Sequence, residues 1–155
     1  PALHARLLAS FAQSGLAAAV PSDGGFVGNL KVWENLVLPA AYHGRPQLSQ
    51  LDARADSIFR RIVADGRSWA DLCAQLPERL SRLELRSAAF VRAMLVEPEI
   101  MVYESLFEGL TRAEVGRVLA FDRVFHLYFP FRTSIWVDRE LPMLPEVAAR
   151  ETFRL

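Results

Sequence analysis

The sequence is poor in several residues that would tie a chain to a special environment. It has one cysteine, Cys73, which excludes an internal disulfide and a cysteine-based zinc cluster and suits a reducing compartment. Lys31 is its one lysine, so arginine supplies almost all of the 18 basic residues. Those 18 are matched by 18 acidic residues, and no net field points to nucleic acid or to an acidic ligand. Long apolar runs are also missing. Arginine, glutamate or proline interrupts each one early, so neither a membrane-spanning helix nor a secretory leader is expected. His4, His43 and His126 fall in unrelated segments and read as surface or packing residues rather than ligands. The chain opens at Pro1 without a methionine, which suits a processed or trimmed piece.

What is present describes a globule. The chain has 155 residues, 52% of them apolar and 23% charged, the size of one domain that buries about two-thirds of its unfolded surface. Leu3, Leu7, Leu8 and Phe11 have helical spacing. Residues 16–20 form a short apolar strand stopped by Pro21, and Ser22-Asp23-Gly24-Gly25 is a turn. A helix starts at Val32 and is bent or interrupted by Pro39; a polar loop follows at residues 42–46. Residues 52–64 form an amphipathic helix with Ala53, Ile58, Ile62 and Val63 facing inward, and a helical piece follows at 69–73. Cys73, in that apolar piece, reads as core rather than nucleophile.

Ser81 and Glu84 make the S-x-x-E of a capping box ahead of a helix over 82–95. Residues 100–103 and 133–137 read as buried parallel strands. They are separated by a helix over 111–128 with Val115, Val118, Leu119 and Phe125 on its apolar side. A last short helix is expected over 146–150. The fold class is therefore α/β, with parallel strands and flanking helices.

The stretch "LSRLELRSAAFVRAMLVEPEIMVYESLFEGLT" resembles the signature-to-D-loop region of the ATP-binding-cassette (ABC) ATPases. Leu80-Ser81 open the signature, Arg92-Ala93 lie in the helix behind it, Glu97-Pro98 precede the Walker B strand, and Gly109-Leu110 take the D-loop place. Upstream, "NLKVWENLVLPAAYHG" is similar to the segment after the family's Q-loop, with Glu34-Asn35 and Leu38-Pro39 in their usual places. The resemblance implies a partial ABC-ATPase-like fold with a helical subdomain, all within one domain. Residues 1–28 would be the pre-Q-loop and Q-loop-like segment, 29–95 the helical subdomain and signature-like helix, and 96–155 the Walker B-like to switch-like portion.

Carried over position by position, the resemblance assigns degenerate nucleotide-facing places. Ser22 stands where the family has the Q-loop glutamine, and Ser81, Arg82, Leu83 and Glu84 stand in the signature. Arg82 and Leu83 replace two glycines, whose missing Cβ lets backbone approach a phosphate. Glu104 takes the place of the Walker B aspartate and is the one candidate metal ligand. Ser105 replaces the catalytic glutamate and cannot act as general base near neutral pH. Thr111 replaces the D-loop aspartate. Arg139 replaces the switch histidine and could contact a phosphate but not relay a proton. The phosphate cradle G-x-x-x-x-G-K-[ST] occurs nowhere, and Lys31 lies in the post-Q-loop segment. The likeness begins downstream of that motif, so the segment is read as missing from the chain rather than mutated within it.

No catalytic residue is assigned. The leading expectation is a non-catalytic ABC-ATPase-like subunit or domain of a membrane transport system, with no cofactor of its own. It would act by subunit pairing or by permease contact. The "NLKVWENL" and "EPEIMVYE" segments lean toward lipid or organic-solvent transport. One alternative is an ATP-binding transport ATPase whose nucleotide site, with ATP and Mg²⁺, is completed in trans or by a missing N-terminal P-loop segment. The other is a fold-only scaffold or regulator. The implied partners are an ABC permease or membrane subunit and an intact ATPase subunit or second copy, with no nucleic acid. The implied location is cytoplasmic, peripheral at the inner face of the membrane.

Overall fold

The computed structural model describes residues 16–42, 48–63 and 68–138. The expected helices near residues 3–11 and 146–150, with His4, His43 and Arg139, lie outside them. Three five-residue strands, β1 (Ala17–Pro21), β2 (Ile100–Glu104) and β3 (Thr133–Val137), form a parallel sheet in the order β1-β2-β3. The register sets Pro21, Glu104 and Val137 side by side, so all three strands end on one rim.

Five helices accompany the sheet: α1 (Val32–Tyr42), α2 (Leu48–Ile62), α3 (Trp69–Cys73), α4 (Arg82–Leu95) and α5 (Arg112–Tyr128). No helix among the described residues is long and apolar enough to cross a membrane. Helix α4 is the hub, in contact with β1, α1, α2 and α5. Its run from Ala88 to Val91 is fully buried, with Ala93, Met94 and Leu95 close to it. Ala88 and Ala89 allow close approach, while Phe90 supplies bulk: it stacks on Phe121 of α5 at 4.7 Å between ring centroids. From there an aromatic column continues through Tyr103 of β2 and Trp136 of β3 to Phe107.

Both long helices on this side begin with the device their sequences announce. Ser81 Oγ accepts from the Glu84 amide and the Glu84 carboxylate accepts from the Ser81 amide. Thr111 and Glu114 repeat the arrangement at α5, so Thr111 is the cap rather than a helical residue. Each box satisfies two amides that a helix start otherwise leaves unpaired.

Four expectations are corrected. Pro39 does not interrupt α1, which continues to Tyr42; burial of Leu36 and Ala40 secures both sides of the proline, and only the bond its missing N–H would make is lost. Helix α2 starts at Leu48, and Leu51, Ala55 and Phe59 carry its buried side while Ala53 faces solvent. Val115 is half-buried, and Phe121 and Val124 complete the inner side of α5. β3 is not a buried strand: among the described residues it pairs on one side only, and Ile135 is 44% exposed.

Candidate functional site

In open α/β sheets ligands gather beyond the carboxyl ends of the strands. Here that rim is made by the turn after β1, the turn after β2, the end of β3 and the amino end of α4. Glu104 closes β2 half-buried. Ser105 follows in a left-handed backbone conformation (φ 51°), with its amide donating to the Val137 carbonyl at 2.8 Å. A non-glycine residue in that conformation is uncommon and concentrates where strand ends carry function.

The rim is knit together by arginines of α4. Arg86 is 3% exposed. Its Nε donates to the Ser22 carbonyl at 3.1 Å and its Nη2 to the Glu108 carbonyl at 2.7 Å, joining the turn after β1 to the turn after β2. Burial and the Arg82 charge push its pKa down, while Glu108, Asp138 and Glu114 oppose them. One turn and a half further along, Arg92 donates to the carbonyls of Gly25 at 2.8 Å and Gly24 at 2.7 Å and covers the Phe26 ring. Its burial lowers the guanidinium to about 10. Gly24 takes φ +76°, and a Cβ there would come within 2.8 Å of Leu85. The turn thus requires glycine for both conformation and space.

The signature-like residues point to the fold. Ser81 and Glu84 are engaged in the capping box. Arg82 Nη1 donates to the Gly109 carbonyl at 3.1 Å. Its guanidinium lies where a Cβ on Gly109 (φ +68°) would be. Leu83 is half-buried against the core. So Ser22, Arg82, Glu104 and Ser105 meet at one rim, Ser81 and Glu84 sit at its edge, and Leu83 turns inward. Arg139 would follow Asp138, the last described residue before it.

Arg86 escapes a reading by family position; the signal available was a charged residue amid the apolar run "LRSAAFV". Asn35 is likewise buried. Its side chain accepts from the Val27 amide and donates to the carbonyls of Val27, Leu30 and Lys31, which fastens the segment after the turn.

The donor set does not fit a hydrolytic metal–nucleotide site by itself. Glu104 ends β2 and Asp138 follows β3 on the same rim, no group of three metal-ligating side chains occurs among the described residues, and Ser105 is no base. Elsewhere, His126 Nε2 lies 3.1 Å from Ser134 Oγ and 3.6 Å from Asp122, tying α5 to β3. Cys73 is half-buried, and burial, with Asp52 and Asp56 nearby, pushes its thiol up to about 12.

No protein-family model matches the sequence, and no curated protein matches it. Solved structures do. The ATP-binding cassette MJ0796, in a dimeric post-hydrolysis state with ADP and Pi, is similar with a TM-score of 0.62 at 14% identity over 80% of this chain and 52% of its own. CbiO1 from Clostridium perfringens, part of the ABC transporter complex cbiONQ, is similar with a TM-score of 0.63 at 15% identity over 82% and 48%. An ATP-binding subunit of an ABC transporter gives 0.62 at 17% identity over 84% and 51%. The chain therefore has the fold of ABC ATPase subunits and spans about half the length of those structures.

Proposed function

We propose that this chain is a non-catalytic ABC-ATPase-like subunit or domain of a membrane transport system, acting by pairing with another subunit or by holding a permease. The observation that carries the reading is that the signature-like residues serve the fold. Arg82 is folded onto the Gly109 turn and Leu83 packs against the core, where glycine backbone would otherwise meet a phosphate. Ser105 in the place of a base points the same way. In this reading residues 29–95 form the helical part, and its exposed Leu38 faces a membrane partner. The nucleotide-facing positions Ser22, Ser81, Arg82, Leu83, Glu84, Glu104, Ser105 and Arg139 are relics. Lipid or organic solvent is the proposed cargo class, and the inner face of the membrane the proposed location.

The Glu104 carboxylate, kept at the end of a strand, favours one second reading: a site completed by a P-loop from another segment or subunit. ATP turnover by the chain mixed with an ABC permease and an intact ATPase subunit separates the two. The proposal expects complexes to form and turnover to be unchanged by Glu104→Gln. Loss of turnover with that variant favours completion in trans.

A further inference from the structure

The rim opposite the candidate site has no part in the proposed function. The strands run parallel, so their amino ends share one edge: Leu16 leads into β1, Glu99 into β2 and Arg132 into β3. Two bonds bind this edge, Ile100 amide to Leu16 carbonyl at 3.0 Å and Thr133 amide to Glu99 carbonyl at 3.2 Å. Three large apolar side chains face water around it. Phe131, behind Pro130 in the α5–β3 turn, is 100% exposed, Leu127 in the last turn of α5 is 63% exposed, and Leu16 is 49% exposed.

Arginines flank these residues with their guanidinium heads over aromatic rings. The Arg132 guanidinium sits 4.0 Å from the centroid of Phe129, and that of Arg61 sits 5.7 Å from the centroid of Tyr128. Arg132 is matched by Glu99 and Arg60 by Asp56. Arg61, over the ring of Tyr128 three residues before Phe131, forms no ion pair with a described carboxylate, so it brings a positive charge to this edge.

We propose that this rim docks on an anionic bilayer surface, with Phe131 as the inserting side chain. A fully exposed phenyl on a proline turn is a projection, not a groove. A projection suits a deformable apolar phase, whereas a protein partner must bring a matching cavity. Exposed aromatic and leucine side chains beside arginine heads are the composition of interfacial anchors. A cationic head near an anionic headgroup strengthens the same contact. The inference is independent of the transport reading, since it concerns the chain and lipid alone.

The test is co-sedimentation of the chain with vesicles of phosphatidylcholine alone or with about 30% phosphatidylglycerol, whose anionic headgroups attract basic side chains. Binding is expected with the anionic vesicles and should weaken about tenfold in Phe131→Ser, since burial of a phenyl contributes that much or more. It should weaken about fivefold in Arg61→Gln, as expected for one basic residue at a charged surface. Both positions are on the surface, so both variants fold, and circular dichroism checks it. No binding, equal binding to both vesicles, or binding indifferent to Phe131→Ser overturns the proposal. So does concentration-dependent self-association abolished by Phe131→Ser, which assigns the tip to a second copy of the chain.

Discussion

Replacing Arg86 by methionine should loosen the candidate rim and lower the stability of the whole domain. Methionine keeps the length of the stem but removes two charge-assisted bonds, to the Ser22 carbonyl at 3.1 Å and to the Glu108 carbonyl at 2.7 Å. Such bonds contribute about 1.5–3 kcal/mol each. Burial of the guanidinium, the largest influence lowering its pKa, opposes them, and methionine relieves that cost. A net loss of about 3 kcal/mol remains, because two carbonyls are left facing an apolar side chain. For a domain of this size that lowers Tm by roughly 6–12 °C. Thermal unfolding by circular dichroism measures it, with Arg112→Met, at an exposed position, as the control expected within about 0.5 kcal/mol. Amide exchange should also quicken at Gly24 and Leu110, whose amides close the two turns onto Pro21 and Phe107. A Tm loss below 2 °C, which is under about 1 kcal/mol, with both amides unchanged, would refute the view that Arg86 joins the turns.

Ser81→Ala and Thr111→Ala each remove a capping side chain and should cost about 1 kcal/mol by denaturant unfolding. Gly109→Ala forces a Cβ into a left-handed position and onto the Arg82 guanidinium; a loss of about 1 kcal/mol or more is expected, together with displacement of Arg82 seen by NMR. Cys73, with its thiol pushed up to about 12, should react with iodoacetamide at pH 8 roughly a thousandfold more slowly in the native state than in urea, because the thiolate is the nucleophile. Its folded-state pKa lies above the ordinary 9.0, so the unfolded chain releases this proton first. Its contribution to stability is full below pH 9.0 and falls as pH rises toward about 12, a dependence that Cys73→Ala should remove.

The elements easiest to read from sequence were those with a local chemical signal. The S-x-x-E pattern at Ser81 marks the start of α4 to the residue, and the apolar runs at Ile100 and Thr133 mark two strands. Burial was harder, because it depends on neighbours distant in the chain. Thr133–Val137 has the composition of a central strand but pairs on one side only among the described residues. Ala53 and Ala55 differ by 200° around a helix and only packing distinguishes them. Pro39 carries a strong local signal against helix, and the packing of Leu36 and Ala40 overrides it. At the candidate site, family position identified Ser22, Arg82, Glu104 and Ser105 as neighbours of one rim. It could not foresee that Arg82 folds back on Gly109 or that Arg86 links two turns, since both are hydrogen bonds to backbone carbonyls, which leave no mark on side-chain pattern.

The central claim is that the rim no longer handles nucleotide alone. Its most direct test is calorimetric titration of the purified chain with a non-hydrolysable Mg·ATP analogue, with and without candidate transporter subunits. The account predicts no heat of binding from the chain by itself and heat only when an intact ATPase subunit is present, at that subunit's own site. Micromolar binding by the chain alone, lost in Glu104→Gln, would contradict it.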